Sequence, residues 1–249
     1  MLGLQREIAL INGQNGSGKT TEAIARCKTF PRVLVLEAGF DEFPVEHFLA
    51  ADALLLHLES GRAFPKNERT CFSPFAVGFS PLEREYDWCF ELARELGNLT
   101  VIMDEGDRFD PRELDAYDEV ISRGRHWGVS LLVVGLHIFS LPKNLRRQAT
   151  RITAFRQVEP SDIEALAEIV GPRGYEIGPD GEGRFRCPDF SRLEWTPKTG
   201  ARILDSSGAE RKTLTSSEAP ATLRAIPPES VKDGPGGLPL TDSDGEQSA

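Results

Sequence analysis

The sequence lacks the features of a membrane or secreted protein. It has no run of about eighteen apolar residues, the length that a membrane-spanning helix needs. Its first residues carry neither the charged start nor the long apolar segment of a signal peptide. The four cysteines are scattered and form no C-x-x-C pair. We therefore expect reduced thiols in a cytosolic protein, with no disulfide framework and no zinc site.

Net positive charge is missing as well. The 249 residues carry 39 acidic and 29 basic side chains, for a formal net charge of −10. This balance argues against a broadly basic nucleic-acid coat. One interval is different, because no Asp or Glu lies between Glu119 and Glu159. The seven cations of this interval are Arg123, Arg125, Lys143, Arg146, Arg147, Arg151 and Arg156.

Three interpretations of this basic interval stay open at the level of sequence. The cations could contact nucleic-acid phosphates, or one of them could contact the γ-phosphate of a nucleotide across a subunit interface. They could also form a solvated face or pair with acids elsewhere in this acidic chain. The choice depends on which cations the fold brings together.

A glycine-rich segment near the start of the chain matches a phosphate-binding loop, the Walker A pattern G-x-x-x-x-G-K-[ST]. It follows the apolar residues 8–11 and precedes a helix-compatible segment, which is the context that such a loop requires. Its residues are Gly13, Gln14, Asn15, Gly16, Ser17, Gly18, Lys19 and Thr20, with Thr21 next to them. We expect Lys19 to reach the β- and γ-phosphates and Thr20 to ligate Mg²⁺. The pattern predicts binding of a nucleoside triphosphate.

Apolar runs alternate with helical patterns along the chain. The runs at 7–12, 32–36, 99–103 and 129–134 are typical of parallel strands buried on both faces. Segments 40–52 and 141–147 indicate short helices, and 75–79 a short strand. This order predicts an α/β fold with a mainly parallel sheet. We expect an ATPase core over residues 1–174, a small β-hairpin appendage packed on it over 175–205, and a disordered acidic tail over 206–249.

Two carboxylates end the apolar run at 99–103. They lie at the carboxyl edge of the predicted sheet, where ligands of open α/β folds bind. Asp104 is then expected to support the metal ion, as in a Walker B motif. A carboxylate next to it, Glu105, can activate a water for attack on the γ-phosphate. Glu105 therefore favours hydrolysis over phosphoryl transfer by a P-loop kinase.

The ordered set of motifs resembles a known family. Residues 13–20, 101–105 and 122–133 together are similar to the FtsK–HerA superfamily of DNA-pumping ATPases, over residues 5–171. The stretch RGRHWGVSLLVV is most similar to genome-packaging ATPases of icosahedral viruses with an internal membrane. The resemblance implies a RecA-like P-loop NTPase core of the additional-strand, catalytic-Glu class.

The resemblance also implies roles for single residues. The family's arginine finger corresponds to Arg125, with Arg123 as the alternative. The position of its γ-phosphate-sensing Gln holds Leu136, so His137 is the candidate sensor. Lys143, Arg146 and Arg147 match positions that face a neighbouring subunit or DNA in relatives.

The resemblance implies ATP-driven translocation of double-stranded DNA during viral genome packaging, by a homo-oligomeric ring and, as in this family, a hexamer. ATP and Mg²⁺ are the implied cofactors. A capsid or vertex protein is an implied partner, and the host cytoplasm at the capsid vertex is the implied location. The alternatives are a phage morphogenesis or export ATPase similar to zonula occludens toxin, and a nucleotide-dependent switch that moves no DNA.

Overall fold

The computed structural model describes residues 6–37, 43, 45–48, 51–59, 76–79, 85–108, 114–180, 182–188 and 190–211. They belong to the first of two units, Met1–Thr213, and the second is Leu214–Ala249. The sequence also predicts helix starts at Ser80 and Asp110. These positions and most of the predicted tail lie outside the described residues. No helix within the described ranges is long and apolar enough to cross a membrane.

One nine-stranded sheet forms the centre of the described structure. Its strands are β1 (Ile8–Asn12), β2 (Val33–Leu36), β3 (Glu46–Phe48), β4 (Ala76–Phe79), β5 (Thr100–Met103), β6 (Ser130–Gly135), β7 (Arg151–Ala154), β8 (Arg192–Thr196) and β9 (Gly200–Leu204). Their order is β3-β4-β2-β5-β6-β1-β7-β8-β9. Strands β1 to β7 run parallel, and β8 and β9 continue the sheet antiparallel.

Six α-helices connect these strands in the described part of the chain. They are α1 (Lys19–Cys27), α2 (Ala51–Glu59), α3 (Tyr86–Leu96), α4 (Asp115–Arg123), α5 (Lys143–Gln148) and α6 (Pro160–Val170). Proline stands at the start of α6, where its missing N–H costs nothing, and glycines follow the ends of α3 and α6.

The central strands are apolar because both faces of the sheet are covered. Alternate residues of β1 enter two separate clusters: Ile8 and Leu10 pack with α3 to α6, whereas Ala9 and Ile11 pack with α1. The middle strands β2, β5 and β6 divide in the same way. Continuous burial on both sides explains why these strands read as uninterrupted apolar runs.

The α/β fold with a mainly parallel sheet is confirmed, and so is the short strand near residue 76. Two details of the prediction were wrong. Residues 46–48, expected to be helical, pair with β4 as a strand, and the helix starts later, at Ala51. The sequence pattern pairs segment 185–187 with 192–195 as the C-terminal hairpin. In the structure β8 and β9 form the hairpin, and segment 185–187 contributes an isolated bridge between Phe185 and Pro179.

The hairpin also extends the main sheet, because β8 pairs with β7. The sequence predicted a helix over residues 40–52 because the edge strand there is short and gives a weak periodic signal.

The division of the chain at residues 174 and 205 stays a prediction.

Tyr117 offers a test of the core packing. Its ring is fully buried and stacks on Phe90 with 4.5 Å between ring centroids. Its hydroxyl finds no hydrogen-bond partner among the described residues, and burial raises the pKa of Tyr117. We expect Tyr117→Phe to stabilise the fold by about 1 kcal/mol, because it removes a buried unpaired polar group and keeps the ring.

Denaturant unfolding measures this change in the free energy of unfolding. The matched variant Tyr117→Ala removes the ring and is expected to cost about 3–5 kcal/mol. A loss of stability in Tyr117→Phe would show that the hydroxyl has a partner.

Candidate nucleotide site

The glycine-rich loop lies between β1 and α1, at the carboxyl edge of the parallel sheet. Gly18 is the N-cap residue of α1, and Lys19 begins the helix. The Lys19 ammonium donates to the carbonyl oxygen of Gln14 across the loop, at 2.9 Å. Backbone N–H groups of the loop and the start of α1 therefore converge with Lys19, an arrangement that binds phosphate.

Gly13 is confined by Phe155, the residue directly after β7, which is the neighbour of β1 in the sheet. Its φ of 155° is unfavourable for other residues, and a Cβ placed there would lie 2.6 Å from the Cβ of Phe155. Phe155 is buried directly after β7, and its ring also lies against Gly18. Phe155 thus supports the loop from below, a contact that the sequence reasoning missed because 142 positions separate the two residues along the chain.

Asp104 and Glu105 follow β5 at the same edge. Asp104 is buried, and its N–H donates to the carbonyl of Leu36 at 2.9 Å. Glu105 has a φ of 52°, a left-handed backbone that costs a non-glycine residue about 1 kcal/mol or more. Its two carboxylate oxygens pair with Arg108 at 3.0 and 2.8 Å. Each Glu105 oxygen thus has one contact to Arg108 and keeps a second lone pair that can accept a hydrogen bond from water.

Strand β6 lies between β1 and β5, so the two motifs are separated by one strand. Two strand spacings amount to about 9–10 Å, which is room for a phosphate chain and a hydrated cation. Thr20 and Asp104 offer the oxygen ligands that Mg²⁺ prefers, and the ion would otherwise be held by phosphates and water. The described residues contain no cluster of three or more His, Cys, Asp and Glu side chains suited to a metal, and such a site needs none.

His137 lies just after β6, between the two motifs. Its backbone N–H and that of Leu136 both donate to Oδ2 of Asp107, at 3.0 and 3.1 Å. Its ring Nδ1 lies 2.8 Å from Oδ2 of Asp162 in α6. The hydrogen bond to Asp162 raises the pKa of His137, opposed by partial desolvation and assisted by Asp107 and Glu159.

Three polar residues of this region escaped the sequence reasoning. Asp107 was visible only as part of the acidic DEGD run, and Asp162 as an ordinary first-turn acid of a helix. Asn12, the last residue of β1, is fully buried, and neither its Oδ1 nor its Nδ2 finds a partner among the described residues. It pairs in register with Gly135, so a polar side chain lies directly beneath the loop.

The proposed arginine fingers lie at the opposite edge of the sheet. Arg125 belongs to a short 3₁₀ turn, Gly124–His126, that precedes β6, and Arg123 ends α4. Both side chains are exposed. Arg6 holds the end of α4 just before this turn, because it donates to the carbonyls of Val120, at 2.9 Å, and Ile121. Burial, and then the nearby charge of Arg125, lower the pKa of Arg6.

The basic interval of the sequence is not one surface. Arg151 pairs with Glu7 at 2.9 Å, and Glu7 also pairs with Arg26. Arg156 lies 4.1 Å over the ring of Phe185, and Arg146 lies 5.8 Å over that of Phe139. Lys143 and Arg147 of α5 are exposed. The interpretation as partly paired cations therefore holds for Arg151.

The strand order, the glycine-rich loop after β1 and the acidic loop after β5 define an α/β P-loop NTPase fold with a RecA-like core. The interposed β6 is the additional strand that was expected from the resemblance to the FtsK–HerA superfamily. The expected fold is thus confirmed, and the roles of single residues stay predictions.

Solved structures with the same fold include viral genome-packaging proteins. The genome packaging NTPase B204 from Sulfolobus turreted icosahedral virus 2, in complex with ATPγS, is 14% identical and gives a TM-score of 0.60 over 82% of this chain and 98% of that one. Its complex with AMP gives 0.59 at 14% identity, over 80% and 96% of the two chains. The DNA-packaging ATPase B204 from Sulfolobus turreted icosahedral virus gives 0.50 at 16% identity, over 79% and 96%. At these identities the likeness establishes the fold.

At the level of sequence, no family model and no curated protein matches this chain.

Gly13→Ala is expected to abolish nucleotide binding. The new methyl group would collide with the Cβ of Phe155, and the loop would have to move away from the phosphates. Gly16→Ala is the matched control, because Gly16 also has a positive φ but has no atom within 4 Å of the new methyl position. Titration with a fluorescent ATP analogue should show a much larger loss for Gly13→Ala. Equal losses would mean that backbone conformation alone governs the loop.

Proposed function

We propose that this chain is an ATPase that moves double-stranded DNA into a viral capsid, working as a ring of identical chains. One observation carries the proposal: the phosphate loop and the acidic loop share one edge of the sheet, while an exposed arginine on a tightly held turn lies at the other edge. Such a chain has both halves of an active site but cannot join them by itself. The shared fold with genome-packaging NTPases supports the packaging role.

Four residues carry the proposed hydrolysis within one chain. Lys19 and the loop N–H groups bind the phosphates, and Thr20 ligates Mg²⁺ with indirect support from Asp104. When bound, Mg²⁺ would supply positive charge that neutralises the phosphates. Glu105 orients and deprotonates the attacking water, through a lone pair that its contacts to Arg108 leave open.

Arg125 completes the site of a neighbouring chain. The six residues of β6 separate the Arg125 turn from the edge that carries the loop, a distance of about 20 Å at 3.3 Å per residue. An arginine side chain does not span this distance, so Arg125 does not serve the loop of its own chain. A ring, in which each interface joins one edge to the opposite edge of the next chain, uses every loop and every arginine. Arg123 is the alternative finger.

The remaining parts of the proposal follow from the ring. It is a hexamer in the superfamily that the motifs resemble. Lys143 and Arg147 are exposed and suited to DNA phosphates or to the neighbouring chain, whereas Arg146 is partly engaged with Phe139. A capsid or vertex protein in the host cytoplasm is the proposed docking partner.

A nucleotide-dependent switch is the second candidate function. The pairing of Glu105 with Arg108 favours it, because the arginine competes with water for the carboxylate oxygens. In a switch, nucleotide binding alone would change the conformation, and turnover would be very slow. The rate of multiple-turnover ATP hydrolysis therefore separates the two candidates.

Mixing two inactive variants tests the shared site. Arg125→Ala and Glu105→Gln are each expected to lower hydrolysis strongly, by about 10³-fold or more for the finger. A mixture of the two should recover part of the activity, because some interfaces then combine an intact Glu105 with an intact Arg125. Arg123→Ala, mixed with Glu105→Gln in the same way, tests the alternative finger. No recovery in co-assembled mixtures would contradict a finger supplied by a neighbour.

DNA stimulation tests the translocase. We expect duplex DNA to stimulate ATP hydrolysis by the assembled protein, and the stimulation to fall as salt rises from about 50 to 200 mM, because phosphate contacts release counterions. Scrambling the sequence of the duplex should change little. Hydrolysis that is insensitive to DNA at low salt would overturn the proposed translocation and leave the ATPase intact.

A further inference from the structure

Asp162 is a buried carboxylate whose two oxygens are both used by the turn after β6. Its side chain is 2% exposed. Oδ1 accepts the backbone N–H of Phe139 at 2.9 Å, and Oδ2 lies 2.8 Å from Nδ1 of His137. A carboxylate accepts and does not donate, so Nδ1 of His137 must carry a proton. The other ring nitrogen, Nε2, is then the atom available to a ligand.

The turn that carries His137 is tied to both nucleotide-binding motifs. The N–H of Gly13 lies 3.4 Å from the carbonyl oxygen of Gly135, two residues before His137. Asp107, three residues after Asp104, accepts the N–H groups of Leu136 and His137. The backbone of this turn is therefore held beside both motifs. The His137 side chain is 47% exposed although its Nδ1 is anchored.

We propose that Asp162 is a positioning residue that holds His137 as an imidazolium, with its Nε2–H directed to the γ-phosphate of the bound nucleotide. This inference rests on the proposed ATPase function. It assigns to the histidine a charged contact, in place of the neutral amide contact that a glutamine would make. Asp162 itself does not touch the nucleotide.

The surrounding charges favour the protonated ring. The groups that act on it are all acidic: Asp162 and Glu159 from the start of α6, and Asp107 from the loop after β5. They raise the pKa of His137, with the hydrogen bond to Asp162 as the largest cause. A raised pKa keeps the ring charged to higher pH, and charge is lost as the pH rises through the pKa of the folded protein. The γ-phosphate contact should therefore weaken on the alkaline side.

A double-mutant cycle tests the coupling between the two residues. Asp162→Asn keeps the shape of the side chain and can donate to the neutral imidazole, so it removes the preference for the charged ring. We expect it to lower kcat roughly tenfold, the effect of losing one hydrogen bond to a charged group. The alkaline limb of its pH–rate profile should move to lower pH. In a His137→Gln background, the same substitution should have little further effect on kcat.

Two further measurements separate positioning from folding. Glu164→Gln is the matched control, because Glu164 is an exposed acid of the same helix, and its profile should be that of the wild type. Thermal unfolding reports any loss of stability in Asp162→Asn. Equal losses of kcat in the wild-type and His137→Gln backgrounds, or an unmoved alkaline limb, would show a merely structural role and overturn the proposal.

The His137 pair can be tested even if ATP is not hydrolysed. NMR titration follows the protonation of the His137 imidazole, whose signal is assigned by its absence in His137→Gln. Asp162→Asn should lower the pH at the midpoint of this titration. Addition of ATPγS should shift the same signal in the wild-type protein. Absence of ATPase activity in the wild-type protein would contradict the proposed function. An unchanged midpoint of the His137 titration in Asp162→Asn would contradict only the coupling between Asp162 and His137.

Discussion

The parallel pairing of β6 with β1 on one side and β5 on the other is the constraint on which the candidate site depends. In parallel strands the carboxyl ends coincide, so the loops after β1, β5 and β6 must meet at one edge. The register places Asn12 beside Gly135, and it aligns Met103 with Val133. Because all three strands are buried on both faces, a shift in register would disrupt the packing on both sides of the sheet, and the three loops are therefore held in fixed positions relative to one another.

Contacts between side chains of different elements then fix the loops that this pairing of strands brings to one edge. Asp107 joins the loop after β5 to the turn after β6, and Asp162 joins that turn to α6. Phe155 supports the glycine-rich loop from β7. Each of these contacts joins residues from different elements, so the loops are fixed relative to one another. The engaged Glu105 and the left-handed backbone beneath it lie within the same network, which makes this loop the natural place for a change on nucleotide binding.

The opposite edge of the sheet carries the turn that presents Arg125. There Arg6 caps the carbonyls at the end of α4 and packs against Gly124, which holds the turn that presents Arg125. Cations that pair internally, such as Arg151 with Glu7, are structural, whereas Arg125 is left exposed on a rigid support. In the proposed ATPase, this arrangement separates the binding of phosphate from the charge that would stabilise the transition state, and it makes assembly the condition for activity.

The local pattern of the chain by itself determined the strands, the phosphate loop after residue 12 and the acidic pair at 104–105, because burial on two faces and glycine-rich turns leave direct marks on neighbouring residues. It did not determine the edge strand at 46–48, whose few residues carry little periodicity, or the partners of the C-terminal hairpin. Only the tertiary structure decided that Phe155 supports Gly13, that Asp162 holds His137 and that the basic interval divides between two edges. These contacts join residues far apart along the chain, and their geometry depends on strand order and helix placement, for which no short segment carries a signal.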